Sequence, residues 1–263
     1  MVPIAGSMTD EPAIPPPGRL TAAIQTYLRV YHRHEVRIDS AVPDRPVLFV
    51  CNHGFGGVID LNVAAFVAAR QAANIARPTT ALVHQIAWTL GAGSVVERFG
   101  GTPGSREAAD AAFAAGHNVL VFPGGDVDAA KSWRHRNKIT FHGTGFARLA
   151  QDHQVPIVPV VTAGAGESLL VLSDGRPAAR MLGLPNLLRL KSLPLSVSIP
   201  WGLNVGVVGL LPYLPLPTKL VTAVMPEMLA GTDESPEELA QRVKDAMQAR
   251  LDALTAGRIP VLG

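Results

Sequence analysis

The stretch LFVCNHGFGGVIDLNVAAFVAARQAAN, residues 48–74, ends an apolar run in Asn52-His53, continues with glycines at 54, 56 and 57, and then reaches Asp60. A neutral imidazole near pH 7 can take a proton from a hydroxyl. A carboxylate on the other ring nitrogen fixes its tautomer and stabilises the imidazolium that forms. His53 and Asp60 are therefore a candidate general base and its orienting acid, provided the loop folds back, which glycine allows by accepting positive φ. The same residues have a plainer reading: Asp60 caps the following helix and His53 is a satisfied histidine at a strand end. Cys51 lies two residues before His53, so on a strand the two face the same side and a Cys–His nucleophile is conceivable. Their side chains would run parallel, however, and Cys51 closes an apolar run, which points to a buried, inert thiol.

A second constellation is LVFPGGDVDAAKSWRHRNK, residues 120–138. Phe122-Pro123-Gly124-Gly125 makes a tight turn whose backbone N–H groups could hold an anion or an oxyanion. Asp126 and Asp128 follow, then Lys131, Arg134, His135, Arg136 and Lys138. The basic run reads either as a solvated loop or as a phosphate or headgroup contact. The two aspartates have no second pair of ligands at matching spacing, so no metal site is expected. A third stretch, SVVERFGGTPGSREAA (residues 94–109), places Arg98 and Arg106 around a turn at a helix start, where backbone N–H groups suit a phosphate; ordinary capping by Ser105 accounts for it equally well.

The elements that must position these groups follow from periodicity. Residues 19–31, RLTAAIQTYLRVY, put Leu20, Ile24, Tyr27, Leu28 and Tyr31 on one helical face, followed by His32, Arg33, His34 and Arg37. The basic end suits the helix dipole or an anionic membrane surface. Buried strands are predicted at RPVLFVC (45–51), TTALVH (79–84), NVLV (118–121) and VPIVPVV (155–161), with SVVERFGG (94–101) as a further strand candidate. Helices are predicted over residues 58–74, 105–116, 143–154 and 235–257, the last capped by Ser235 or Asp233 and ended by Gly257. Alternating strands and helices predict an α/β fold, a mostly parallel β-sheet flanked by helices on both faces, with an amphipathic N-terminal helix. No repeat or linker divides the chain, so one domain is expected over residues 1–263, with a loose tail at 1–17 and a motif-bearing core at 45–170. In such sheets ligands bind beyond the carboxyl ends of the strands, where His53 and the FPGG turn fall.

Composition narrows the class. The 263 residues are 48% hydrophobic and 17% charged, with net charge +2, which does not suit a nucleic-acid binder. A single cysteine excludes an intrachain disulfide and a cysteine-cluster metal site. The N-terminus has no basic start followed by an apolar signal core, and no window of about 18 apolar residues reads as a membrane-spanning helix. Residues 192–218, SLPLSVSIPWGLNVGVVGLLPYLPLPT, carry no charge and five prolines. They read as buried strands and loops, or as a surface lying in a lipid interface with Trp201 and Tyr213 near headgroup depth. The alanine-rich, arginine-over-lysine usage suggests a high-GC bacterial genome.

Taken in order, these stretches resemble the lysophospholipid/glycerolipid acyltransferase superfamily: a His-loop-Asp block, a Gly/Arg block, an FP-Gly block and a VPIVPV strand, covering about residues 45–170. The usual first block of that family is N-H-x4-D, against N-H-x6-D here; the usual third is F-P-E-G-T-R, against FPGGDVD here. Both departures resemble the branch near diacylglycerol acyltransferases and plant phytyl ester synthases, as does GTGFARLAQDHQVPIVPVVTAGAGES (143–168). The resemblance implies direct acyl transfer from an acyl thioester, acyl-CoA or acyl carrier protein as co-substrate, to a hydroxyl of a lysophospholipid or glycerolipid, with His53 as general base, Asp60 orienting it and no covalent intermediate. No cofactor and no metal are expected. The candidate substrate-binding set is Asn52, Gly56, Gly57, Arg98, Phe122, Pro123, Gly124, Gly125, Asp126, Arg134, Arg136 and Lys138. The expected partners are a membrane surface and a lipid acceptor, with no nucleic acid, and the expected location is cytoplasmic, peripheral on the inner face of the cell membrane. The alternatives are a Cys51-dependent thioesterase or ester hydrolase, and a non-catalytic lipid-binding protein.

Overall fold

The computed structural model describes residues 13–14, 18–54, 60–83, 85, 88, 93–184, 192–206 and 213–263. Among these, seven strands form the main sheet in the order β1-β10-β6-β2-β5-β3-β4. They are β1 Glu35–Ile38, β2 Leu48–Cys51, β3 Thr79–Val83, β4 Gly101–Pro103, β5 Asn118–Val121, β6 Ile157–Ala163 and β10 Val221–Val224. From β6 to β4 all neighbours pair parallel; β10 runs antiparallel to β6, and β1 pairs parallel with β10. The α/β fold with a mostly parallel sheet is thus as the alternation of elements dictates.

The central strands are apolar throughout because both of their faces are covered. Side chains alternate across a strand, so Leu48 and Val50 of β2 face one layer and Phe49 and Cys51 the other. The first layer is α4 (Arg106–Ala114), α6 (Gly145–Asp152) and α8 (Pro236–Thr255), which contribute Phe113, Phe146, Leu149, Leu239, Met247 and Leu251. The second is α2 (Leu61–Ala72), whose Phe66 sits edge-on against Phe49. α8 opens with a complete capping box between Ser235 and Glu238. α1 (Arg19–Tyr31) buries Leu28 and part-buries Ile24 against Leu61 and Leu220. That face is therefore only partly occupied by the fold: Leu28 is buried, while Tyr27 is 36% exposed. The basic stretch after it is likewise engaged: His32 Nδ1 lies 2.9 Å from the Thr218 carbonyl, and Arg33 donates to the carbonyls of Pro217 and Val261.

One expectation is corrected. SVVERFGG is not a strand: α3 (Gly93–Arg98) is helical, and β4 begins only at Gly101. The strand-forming valine there packs from the helix, since a Cβ at Gly101 would lie 2.4 Å from Val96 Cγ1. The described part of residues 192–218 divides between its two readings: Ser196, Ser198 and Tyr213 are buried, while Trp201, Leu203 and Val205 are exposed. With β7 (Leu170–Ser173) this segment builds a separate three-stranded antiparallel sheet through β8 (Leu195–Ser198) and β9 (Gly202–Val205), with apolar side chains exposed. Two short helices, α5 (Gly125–Ala129) and α7 (Arg176–Met181), complete the described helices.

The carboxyl end of β6 is tied to the chain end by a buried charge. Glu167, 1% exposed, accepts from Arg258 through Nε and Nη2, each at 3.0 Å, from Thr218 Oγ1 at 3.1 Å and from the Val261 N–H at 2.7 Å. Removing one partner of such a pair strands the other charge. Glu167→Ala is expected to cost about 3–5 kcal/mol in urea unfolding; a loss below about 1 kcal/mol would equate the pair with an exposed salt bridge.

Candidate active site

Alternation on two neighbouring strands brings the candidate chemistry together. On β2 the residues facing α2 are Phe49 and Cys51, and the next of that parity is His53. On β5 they are Leu120 and, one step past the strand, Phe122. Val50 pairs with Val121, so the two strand ends are level. The His53 ring accordingly stacks on Phe122, with centroids 4.5 Å apart and planes at 29°.

Asp60 arrives from the other side of the loop. It is the N-cap of α2, and its Oδ1 accepts from the N–H groups of Asn62 at 2.8 Å and Val63 at 3.3 Å. Its Oδ2 lies 3.3 Å from His53 Nδ1. The helix-capping and the His-facing readings are thus both realised, one on each carboxylate oxygen. The approach is close but off-line, and Nδ1 is buried without a well-directed hydrogen bond. Such bonds are commonly loose before substrate binds. With Nδ1 towards the carboxylate, Nε2 is the nitrogen left for a substrate.

Residues that the sequence reading did not place at the site hold this arrangement. The buried Asn62 side chain donates to the Asn52 carbonyl at 2.8 Å and accepts from the Gly54 N–H at 2.6 Å, bracketing His53. The His53 N–H donates to Asp128 Oδ2 at 3.0 Å. Asp128, 1% exposed, also accepts from Lys131 Nζ and the Thr140 N–H, each at 3.0 Å, and Lys131 donates on to the Lys138 carbonyl. Burial pulls the Lys131 ammonium pKa down and Asp128 opposes the shift. The sequence signal for this pair was the i,i+3 spacing of opposite charges; the signal for Asn62 was an amide in the first turn behind an Asp cap.

The structure assigns the predicted binding residues to several places. Asn52 does not offer its side chain to a ligand: it is buried and exchanges hydrogen bonds with the Thr162 backbone, Nδ2 to O at 3.1 Å and N to Oδ1 at 2.8 Å. Gly124 is a close-approach glycine, since a Cβ there would lie 2.2 Å from Asp128 Cβ and 2.5 Å from the Thr140 carbonyl. Gly125, at φ 53°, gives its N–H to the Phe122 carbonyl at 3.2 Å, so that amide is not open to an oxyanion. The Pro123 carbonyl accepts from the His142 N–H. Arg136 bonds the Trp133 carbonyl, lies over the Trp133 ring and stands 3.8 Å from Glu167. Arg134 and Lys138 are exposed. Arg98 is not brought to His53: it ends α3 before β4, whose first residue Gly101 is level with Ala81 midway along β3, three strands from β2. Arg106 stands past the carboxyl end of β4, paired with Asp152 at 2.7 Å. Gly56, Gly57 and the Asp126 side chain lie outside the described residues.

Cys51 is 3% exposed, and burial, then the Asp60 charge, raise its thiol pKa well above the ordinary value. That protonated, enclosed thiol does not suit a nucleophile. Among the described residues no group of three His, Cys, Asp or Glu converges as a metal site requires, and no helix is long and apolar enough to cross a membrane.

A family model described as Acyltransferase matches residues 33–163, the span that carries His53, Asp60 and the FPGG turn. The crystal structure of the 1-acyl-sn-glycerophosphate (LPA) acyltransferase PlsC from Thermotoga maritima superposes with a TM-score of 0.53 at 16% identity, covering 90% of this chain and 81% of that one, which shows a shared fold. An uncharacterised protein of Mycobacterium leprae is 27% identical over 253 residues (90% of this chain, 65% of its own length). The human DGAT1/2-independent enzyme synthesizing storage lipids is 27% identical over 225 residues (85% of this chain, 62% of its own length). The family match and these relatives support the lysophospholipid/glycerolipid acyltransferase superfamily. It spans less than two thirds of the length of these curated relatives.

Two measurements check the site's construction. Asn62→Ala leaves the buried Gly54 N–H and Asn52 carbonyl unpartnered and is expected to cost about 2–3 kcal/mol in stability; a neutral result would remove Asn62 as the support of the loop. Iodoacetamide is expected to label Cys51 in the unfolded chain and leave it unlabelled in the folded one, as read by intact mass; rapid labelling of folded protein would return Cys51 to candidacy.

Proposed function

We propose that this chain is an O-acyltransferase that moves a fatty acyl group from an acyl thioester, acyl-CoA or acyl carrier protein, to a hydroxyl of a lysophospholipid or other glycerolipid. The observation that carries the reading is the Asp60 carboxylate on His53 Nδ1 at the open end of a parallel sheet. Asp60 keeps the Nδ1 proton in place, so Nε2 carries the lone pair. Nε2 takes the proton of the acceptor hydroxyl as its oxygen attacks the thioester carbonyl. The carbon–sulfur bond breaks, the ester forms, and the imidazolium returns its proton to the departing thiolate, with no acyl-enzyme formed. Membership of an acyltransferase family and the names of the human and Thermotoga relatives support a glycerolipid acceptor. Such an acceptor places the protein at a membrane surface, on the cytoplasmic side where acyl thioesters are available, as a peripheral protein. The chemistry needs no metal or cofactor.

Incubation with labelled acyl-CoA and a panel of lysolipids and diacylglycerols tests the reading. Acylated lipid is the expected product; free fatty acid alone would indicate a hydrolase, and no product with any donor or acceptor a binding protein. His53→Ala is expected to lower turnover by about 10²–10⁴-fold with the fold intact; near-normal transfer would refute the assignment. Asp60→Asn is the sharper variant. Asparagine caps a helix as well as aspartate, so stability should hold. Its amide, however, presents a donor to Nδ1 and favours the tautomer whose Nε2 is protonated, so turnover is expected to fall. Loss of stability equal to loss of rate would mean that Asp60 only caps.

A further inference from the structure

The three-stranded sheet is built inside out. Antiparallel sheets with one open face usually turn apolar residues inward and polar ones outward. Here Ser196 and Ser198 of β8 point inward and are 0% and 5% exposed, with Ser198 Oγ accepting from Asn204 of β9 at 3.0 Å. The opposite face carries Val197 across from Leu203, and Leu195 across from Val205. Leu203 is 66% exposed, Val205 55% and Leu172 of β7 50%. Met181, the last residue of α7, and Leu182 after it are 89% and 61% exposed. The cross-strand pairs make the apolar surface of the sheet contiguous, and surface of this kind marks a covered face.

Charge selects the cover. Between residues 168 and 218 the cations are Arg176, Arg180, Arg189 and Lys191, and the one acid, Asp174, is paired with Arg176 at 2.6 Å. A second copy of this chain would bring the same excess of cations over acids in this segment rather than complement it. An anionic lipid surface accepts both the apolar face and the cations, each basic residue near the headgroups favouring contact. The sheet also adjoins the candidate site through the chain that leads into β7. β7 starts five residues after Ala165, whose Cβ would be 2.6 Å from a Cβ on Gly54, and the turn Trp133–His135 packs against β7.

We infer that the outer face of the three-stranded sheet, together with the exposed Met181 and Leu182, is the surface by which this chain seats on an anionic bilayer, with Arg180 at headgroup level. The inference takes from the proposed function only that the cover is a bilayer; its test reads binding without chemistry.

Sedimentation with vesicles of phosphatidylcholine containing phosphatidylglycerol, and with phosphatidylcholine alone, is the experiment. The full chain is expected to bind the anionic vesicles more tightly and to lose binding as salt is raised. Leu203→Ser/Val205→Ser is expected to weaken binding by about 10-fold or more, with an unchanged thermal midpoint. Should that pair disturb the sheet, Met181→Ser/Leu182→Ser on the exposed helix serves the same purpose. His53→Ala should bind as the unaltered chain does. Unchanged binding by both surface variants, no vesicle binding at all, or a dimer by light scattering that these variants dissociate would each overturn the inference. Vesicle binding without acyl transfer would sink the proposed function and leave this surface standing; transfer to a detergent-dispersed acceptor without vesicle binding would do the reverse.

Discussion

Everything at the candidate site depends on the hydrogen bonds that pin the backbone of Asn52, His53 and Gly54. A strand end in an open sheet exposes peptide groups with no ladder partner, and each must be satisfied when buried. Here the partners are side chains: Asn62 holds the carbonyl before His53 and the N–H after it, and Asp128 holds the N–H of His53 itself. The imidazole is thereby located by groups on α2 and on the segment that follows the FPGG turn. Asn52 adds the third tie by pairing with Thr162 on β6, and Thr162 Oγ1 continues through Thr222 to His34, a polar row across β6 and β10. Burial lowers the His34 pKa to about 4, which keeps it neutral within that row.

The Asp128–Lys131 pair belongs to the same logic. Buried ion pairs are weak sources of stability, because desolvation offsets attraction. Its contribution is geometric: the Asp128 carboxylate that Lys131 pairs with reaches both the His53 N–H and the Thr140 N–H. The FPGG turn is fitted to this carboxylate, since Gly124 is the residue that lets Asp128 come close. Phe122 then lies flat against the ring it helps to hold. A glycine that looks from sequence like part of an anion nest is, in the folded chain, clearance for a neighbouring side chain.

The main sheet and its helices were legible because apolar periodicity and capping signals act locally: the strand at 48–51, the Asp60, Ser105 and Ser235 caps and the stop at Gly116 all follow from nearest neighbours in the chain. The pairing of His53 with Asp60 was legible as a candidate because residue chemistry and loop glycines suffice to suggest it. What was not legible depends on contacts distant in sequence. Lys131 reads as one more cation in a basic run until the fold buries it on Asp128. Arg98 reads as a phosphate contact until its helix is seen to end well short of the strand ends. In the small sheet, strand character was visible but its direction was not, because composition does not say which face of an apolar-and-serine strand turns inward.

The central claim is that Asp60 holds a proton on Nδ1 of His53 and leaves Nε2 as the base. Nitrogen-15 NMR of histidine-labelled protein, with the His53 signals assigned by their loss in His53→Ala, reads that state directly. The account requires the neutral ring to show a protonated Nδ1 and a bare Nε2. A ring protonated on Nε2 would contradict it, since such a nitrogen has no lone pair to offer an alcohol.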